Sequence, residues 1–260
     1  MVTMTVLGAS GPITTAESDT TCLALQSGDF SLLIDCNGNP IGKLQQAGID
    51  AYQLDGVLLT HRHPDHTYGL PSLLQGIGLL IDRRGPRAAP LAIYGLVDVL
   101  DHVRSVIDAF ELSRFLPPEA LAFHEIPATR NHLLVGRPDL TLWTTPVEHF
   151  VPTVGLKVHD KTTGGSITYS SDTSPCDALH ELAQGSTVLI QQCNLAADQQ
   201  IKFHTNSTEA GMVAREAQVQ RLVLIHMPMF RYDTQQLVQE AQQTFSGPIE
   251  AALPFVSYTV

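Results

Sequence analysis

Short apolar segments alternate with amphipathic helical patterns along the whole chain, and this alternation restricts the possible folds more than any other feature. The segments 188–190 and 222–225 are apolar throughout, which predicts strands buried on both faces of a sheet. The two halves of the chain repeat the same order of strands and helices. We therefore expect an α/β protein, a layered sandwich with helices outside two packed sheets.

The predicted strands are short and bounded by turn residues. They cover residues 4–7, 22–25, 31–34, 56–59, 91–94, 140–146, 154–158, 166–170, 188–190, 222–225 and 255–259. The predicted helices cover residues 70–81, 97–110, 176–182, 208–217 and 234–244. No low-complexity linker divides this series, so we expect residues 1–260 to form a single domain.

Composition limits the classes of function and the compartment. With 43% hydrophobic and 16% charged residues the chain is an ordinary globular one. Its net charge of -11 argues against extensive nucleic-acid binding. The four cysteines form no CxxC pair, and the N-terminal segment lacks the pattern of a signal peptide. We therefore expect a cytoplasmic protein without membrane association.

One six-residue segment, His-Arg-His-Pro-Asp-His, concentrates potential metal ligands at the end of an apolar strand. His61 and His63 are two residues apart, so on an extended backbone they point to the same side. Asp65 and His66 fall at the start of the next helix. Imidazole and carboxylate groups suit zinc, manganese or iron. A surface histidine cluster is the alternative, but four such residues in six positions favour a metal site.

Three further candidates, His149, Asp172 and His226, lie far apart in the sequence. Taken singly, each is equally well explained as a helix cap or a satisfied polar residue. However, each stands just past the C-terminal end of a predicted strand, where the loops of a sandwich gather. This shared position predicts that they join the six-residue segment at one site.

The order of these residues resembles the metallo-β-lactamase superfamily, and within it the chain is most similar to the ribonuclease Z and related phosphodiesterase branch. The similarity to that branch is carried by segments 67–74, 92–95, 169–175 and 204–211. The resemblance covers nearly the whole chain. It implies the four-layer αββα sandwich of the metallo-β-lactamase fold, and it also implies a homodimer.

The resemblance also implies two divalent metal ions, with zinc expected and manganese or iron as alternatives. The ligands it implies are His61, His63 and His149 for one ion, and Asp65, His66 and His226 for the other, with Asp172 bridging both. A water between two metals has a lowered pKa and becomes a nucleophile at neutral pH.

The resemblance implies two catalytic residues. Asp65 would orient the attacking water and accept its proton. His204 would protonate the leaving group or stabilise the transition state; the alternative is a surface residue flanking a helix. Cys193 and Tyr68 are candidates to line the site, although each could equally be a packed residue without a role in it.

The expected function is a metal-dependent hydrolase, a two-metal phosphodiesterase acting on a small or nucleotide-derived phosphodiester. Three departures from ribonuclease Z disfavour precursor transfer RNA as the substrate. Residues 122–126 lead quickly to 140–147 without a long RNA-gripping arm, the loop 8–12 is short, and Ile-Gln-Gln-Cys-Asn at 190–194 replaces a His-Glu type sequence. A lactone or thioester hydrolase on the same fold and a non-catalytic metal-binding sensor are the alternatives.

Overall fold

The computed structural model describes residues 1–260 and contains fourteen strands and seven α-helices. The strands are β1 (Val2–Gly8), β2 (Cys22–Ser27), β3 (Phe30–Ile34), β4 (Gly56–Leu58), β5 (Leu91–Gly95), β6 (Leu121–Glu125), β7 (His132–Gly136), β8 (Leu140–Val147), β9 (Thr153–Asp160), β10 (Ser166–Tyr169), β11 (Val188–Gln192), β12 (Arg221–Ile225), β13 (Ile249–Ala251) and β14 (Ser257–Thr259). The helices are α1 (Pro40–Gln46), α2 (Pro64–Thr67), α3 (Leu70–Arg84), α4 (Val97–Ala109), α5 (Asp177–Ala183), α6 (Ser207–Glu216) and α7 (Thr234–Ala241).

The strands form two seven-stranded sheets, each built almost entirely from one half of the chain. The first sheet has the order β14-β1-β2-β3-β4-β5-β6, and the second has the order β13-β12-β11-β10-β9-β8-β7. In both sheets antiparallel pairs give way to parallel pairs, at β3–β4 in the first and at β10–β11 in the second. The similar make-up of the two halves of the sequence therefore reflects two sheets of similar construction.

Helices cover the outer face of each sheet. The first core cluster contains residues of both sheets together with apolar residues of α1, α3 and α4. The second cluster packs α5, α6 and α7 against β11 and β12. The four-layer αββα sandwich is therefore confirmed. No helix combines the length and the apolar character needed to cross a membrane.

The fold gathers one set of strand ends at a single edge. In the second sheet, β8 and β10 are both antiparallel to β9, and β12 runs parallel to β10 through β11. The C-terminal ends of β8, β10 and β12 therefore lie at the same edge of the second sheet. In open α/β sheets, ligands bind in the loops at the carboxyl ends of the strands. The first sheet meets this edge beyond β4, where the Val154 N–H donates to the Thr60 carbonyl (3.2 Å).

Candidate metal centre

Three histidines converge at the end of β4 and β8. The Nδ1 atom of His63 lies 3.0 Å from Nε2 of His61 and 3.1 Å from Nε2 of His149. Three imidazole nitrogens at this spacing form a group that could hold one metal ion. The sequence-predicted trio is thus brought together, although its members are up to 88 positions apart in the chain.

A second group adjoins the first and contains Asp65, His66 and His226. Nε2 of His66 lies 3.4 Å from Oδ2 of Asp65, and Nε2 of His226 lies 3.9 Å from the same oxygen. Asp172 lies between the two groups, with Oδ2 at 3.2 Å from Nε2 of His226 and at 4.0 Å from Nε2 of His149. All seven candidates therefore meet in one place, with Asp172 central.

Hydrogen bonds to Thr60 orient the ring of His61. The Thr60 hydroxyl donates to Oδ1 of Asp35 (2.9 Å), so its oxygen is left to accept from the Nδ1–H of His61 (3.1 Å). A proton on Nδ1 leaves Nε2 of His61 with a free lone pair. Such outer contacts are a usual way of fixing the tautomer of a metal-binding histidine.

The rings of His149 and His226 are held in the same tautomer. Nδ1 of His149 donates to the carbonyl oxygen of Phe203 (3.2 Å), which can only accept. The Thr21 hydroxyl donates to the Ser10 carbonyl (3.0 Å), so Thr21 Oγ1 accepts from Nδ1 of His226 (3.1 Å). Both histidines therefore present an unprotonated Nε2 to the site.

Asp35 orients one of the candidate ligands but belongs to none of the sequence motifs. Its Oδ2 accepts from Nδ1–H of His66 (2.7 Å), and both residues are fully buried. Asp35 has a φ of 60°, a left-handed conformation that non-glycine residues seldom adopt. It directly follows β3, so the same strand-end rule that singles out His149, Asp172 and His226 would have found it.

Two buried polar atoms show that the residues present fit metal ions. Nε2 of His66 and Oδ1 of Asp172 are buried without any hydrogen-bond partner. Buried polar atoms are almost always satisfied, and an ion is one of the groups that can satisfy them. Both atoms belong to the clusters of histidine and carboxylate ligands, whose donor chemistry suits zinc, manganese or iron.

The pKa values of the candidate ligands shift upward for Asp172 and His66 and downward for His149 and His226. Burial raises the pKa of Asp172 to about 7. Burial lowers the pKa of His149 to about 4 and that of His226 to about 3, so both rings are neutral at pH 7. Burial also opposes the charged form of His66, but the carboxylate of Asp35, which accepts its Nδ1–H, outweighs it and holds the pKa of His66 well above its usual range.

Metal loading should release protons below pH 7. Asp172 and His66 hold protons in the metal-free protein, and both must lose them to act as ligands. We expect roughly one proton or more per molecule at pH 6, with the share from Asp172 lost as the pH rises through about 7. Titration calorimetry with zinc in two buffers of different ionisation enthalpy measures this number.

The control for proton release is Asp172→Asn, which removes the titrating carboxyl. This variant should release fewer protons at pH 6 than the parent. Equal proton release by the parent and the variant at pH 6 would contradict the assignment of a protonated Asp172.

His204 lies beside the metal groups and is positioned by Gln192. The Thr173 N–H donates to Oε1 of Gln192 (3.1 Å), which fixes the orientation of that amide. The amide NH₂ of Gln192 therefore donates to Nδ1 of His204 (2.6 Å). Nδ1 is thus unprotonated, and the proton of the neutral ring is on Nε2. Burial, with His63 nearby, lowers the pKa of His204 and favours this neutral form.

The start of α6 fixes the backbone next to His204. Asn206 and Glu209 form a capping box, in which Asn206 Oδ1 accepts from Glu209 N (2.8 Å) and Glu209 Oε2 accepts from Asn206 N (3.0 Å). His204 is half-buried, and its ring centroid lies 5.2 Å from that of His149. The structure therefore places His204 at the metal groups and not on an isolated surface.

Cys193 and Tyr68, the two candidates to line the site, lie in different surroundings. Cys193 is buried in the second core cluster, and burial raises the pKa of its thiol to about 12, so it is a packed and unreactive residue. Tyr68 is 46% exposed, and its hydroxyl donates to Asp19. All four cysteines are free thiols.

Residues 32–227 match the family described as a beta-lactamase superfamily domain. This match includes all seven candidate metal ligands and His204. The fold and the histidine–carboxylate clusters define the class of protein, a metal-binding hydrolase on an αββα sandwich. The chain belongs to the metallo-β-lactamase superfamily, as its motifs predict.

Several relatives share nearly the whole length of the chain. The probable metallo-hydrolase YhfI of Bacillus subtilis is 30% identical over 253 residues, which cover 96% of this chain and 96% of YhfI. The crystal structure of YhfI has a TM-score of 0.83 at 28% identity and covers 99% of this chain and 98% of that one. Ribonuclease Z of Methanothermobacter thermautotrophicus is 25% identical over 295 residues, covering 94% of this chain and 92% of the relative.

Proposed function

We propose that this protein is a two-metal phosphodiesterase acting on a small or nucleotide-derived phosphodiester. The observation that carries the proposal is the pair of adjoining ligand groups with Asp172 between them. The relative named ribonuclease Z supports phosphodiester cleavage over other hydrolyses. The net charge of -11 favours a small substrate over a long RNA.

Each metal ion would have its own ligands in this proposal. His61, His63 and His149 would hold one ion, Asp65, His66 and His226 would hold the other, and Asp172 would contact both. Zinc is the proposed metal because imidazole and carboxylate ligands suit it. Two such ions lower the pKa of water and neutralise charge on a phosphoryl oxygen.

Two side chains would assist the two halves of the reaction. Asp65 would accept the proton of the attacking water, because its carboxylate lies in the second ligand group and is ionised at neutral pH. His204 would stabilise the charge on the leaving oxygen with a hydrogen bond from its Nε2–H, because Gln192 holds the opposite nitrogen as an acceptor, and the leaving oxygen would take its proton from solvent water. Water attack and leaving-group departure are thus assisted by different residues.

Gln192 should control how strongly activity depends on the leaving group. In Gln192→Leu the tautomer of His204 is no longer fixed, so hydrolysis of a 3′,5′-cyclic nucleotide should fall by roughly tenfold or more. Hydrolysis of a p-nitrophenyl ester should fall less, because p-nitrophenolate leaves without a proton.

The matched control is Gln191→Leu. Gln191 is also fully buried, but its amide donates to Thr205 (3.3 Å) and makes no hydrogen bond to His204. The ratio of the two activities should stay at the parent value in this variant. Equal losses on both substrates in Gln192→Leu would show that Gln192 supports only the packing of the site.

The experiment that tests the proposed function is hydrolysis by metal-stripped protein refilled separately with zinc and with manganese. The substrates are bis(p-nitrophenyl) phosphate, a lactone and a thioester. Phosphodiester turnover that returns only with metal supports the proposal. Turnover of only the lactone or thioester would assign the protein to carboxylic substrates. No turnover of any of the three substrates by metal-loaded protein would favour a non-catalytic metal-binding sensor.

A further inference from the structure

Two phenylalanines form an aromatic face beside the metal groups, called below the Phe150–Phe203 face. The ring centroid of Phe150 lies 5.5 Å from that of His149 and 5.7 Å from that of His204. The rings of Phe150 and Phe203 meet edge to face, with centroids 4.9 Å apart and an interplanar angle of 72°. This arrangement is a favourable one for two aromatic rings, so each ring holds the other in place.

The backbone of Phe203 is built into the metal centre. Its carbonyl oxygen accepts from Nδ1 of His149 (3.2 Å), and its φ is 68°. A left-handed conformation is costly for a bulky residue, and such strain persists where the surroundings over-determine it. The position of the aromatic face is therefore tied directly to the position of a metal ligand.

The face is open to solvent although it is apolar. Phe150 is 55% exposed, whereas its neighbours His149 and His204 are half-buried. The ammonium of Lys202 lies 4.5 Å from the ring centroid of Phe203, a cation–π contact at the rim of the site. An exposed aromatic ring and a positive charge thus stand next to each other beside the catalytic groups.

We propose that the Phe150–Phe203 face binds the nucleobase of the substrate by stacking. The inference rests on the proposed phosphodiesterase activity and narrows its substrate class to nucleotides. A nucleobase is a flat π system joined to phosphate through one sugar, so a base on Phe150 and a phosphate at the metal groups belong to one small molecule. Base–aromatic stacking tolerates different bases. Lys202 adds attraction for an anionic ligand.

Binding of two product-like ligands tests the face without turnover. Adenosine 5′-monophosphate and ribose 5-phosphate share the sugar phosphate and differ in the base. In zinc-loaded protein, titration calorimetry should show adenosine monophosphate binding roughly 5- to 100-fold more tightly, the gain expected from one stacked base. Phe150→Leu keeps an apolar side chain but removes the aromatic face, and it should bring the two dissociation constants within about threefold.

A second measurement reports the stacking itself. The H2 and H8 protons of adenine should shift upfield when the nucleotide binds the parent protein, because they enter the ring current of Phe150, and Phe150→Leu should lose this shift. The matched control is Phe110→Leu, at a phenylalanine that is 59% exposed beyond the end of α4. Phe110→Leu should retain the tighter binding of adenosine monophosphate and the upfield shift of the adenine protons.

The outcomes separate this inference from the proposed function. Equal affinity of the parent for both ligands would overturn the stacking proposal even if phosphodiesters are hydrolysed. Tighter binding of the nucleotide by a protein without phosphodiester turnover would support the base site and overturn the activity. If the sedimentation coefficient shows that Phe150→Leu dissociates a dimer and the base preference is absent, a second copy of the chain covers the face and the proposal is wrong.

Discussion

Replacing Asp65 with alanine should reduce kcat on bis(p-nitrophenyl) phosphate by about four orders of magnitude or more. The carboxylate of Asp65 is placed to accept a proton, and it also belongs to the second ligand group, with Oδ2 at 3.4 Å from His66 and 3.9 Å from His226. One substitution therefore removes a base and weakens one metal site. Steady-state kinetics and metal analysis of the same sample measure both effects.

The control for Asp65 is a nearby carboxylate outside the ligand groups. Asp98 at the start of α4 pairs with Arg62 (3.2 Å) and is partly exposed. Asp98→Ala should keep kcat within about threefold of the parent, because Asp98 belongs to neither ligand group. Loss of less than tenfold in Asp65→Ala, with both metals retained, would show that another group accepts the proton.

Replacing His204 with alanine should slow the chemical step by roughly two to four orders of magnitude, because the developing charge on the leaving oxygen loses its hydrogen-bond donor. Both metal ions should remain bound, because His204 is outside the two ligand groups even though it lies near His149 and Asp172. The loss should be larger for a cyclic nucleotide than for a p-nitrophenyl ester. Rapid-quench single-turnover kinetics isolates the step.

Measuring the metal content of the variant distinguishes His204 as a metal ligand from His204 as a residue that assists the leaving group. A variant that loses one ion together with its activity would make His204 a metal ligand, since its ring nitrogen also lies within 4.8 Å of ligand atoms of His149 and Asp172. A variant as active as the parent on both substrates would remove His204 from the mechanism. Retention of both ions with slowed hydrolysis is the expected result.

Strands buried on both faces were predictable because they are continuous apolar runs. The segments 188–190 and 222–225 are the buried strands β11 and β12, and their strongly apolar sequence leaves little alternative. The strands β6 and β7 were missed because they are edge strands with only partly buried residues, so they lack a clear alternation. Helix α1 was missed because it is short and contains Gly42, a poor helix former.

The candidate ligands were predictable from strand ends, and the resemblance implied their division into two groups, but the residues that orient them were not predictable. All seven candidate ligands meet in the structure because each follows a strand whose C-terminal end faces the same edge. The role of Gln192 depends on the Thr173 N–H that fixes its amide, and a contact between positions nineteen apart in the chain is invisible to spacing rules. Phe150 and Phe203 likewise meet only through the fold.

The origin of the ligands in two sheets has a consequence for assembly of the protein. His61, His63, Asp65 and His66 follow β4 of the first sheet, while His149, Asp172 and His226 follow strands of the second. An ion held by His66 and His226 would act as a reversible cross-link that closes a loop of more than half the chain. Neither half of the chain alone supplies all the ligands of either group. Metal binding should therefore stabilise the docked arrangement of the two halves against unfolding.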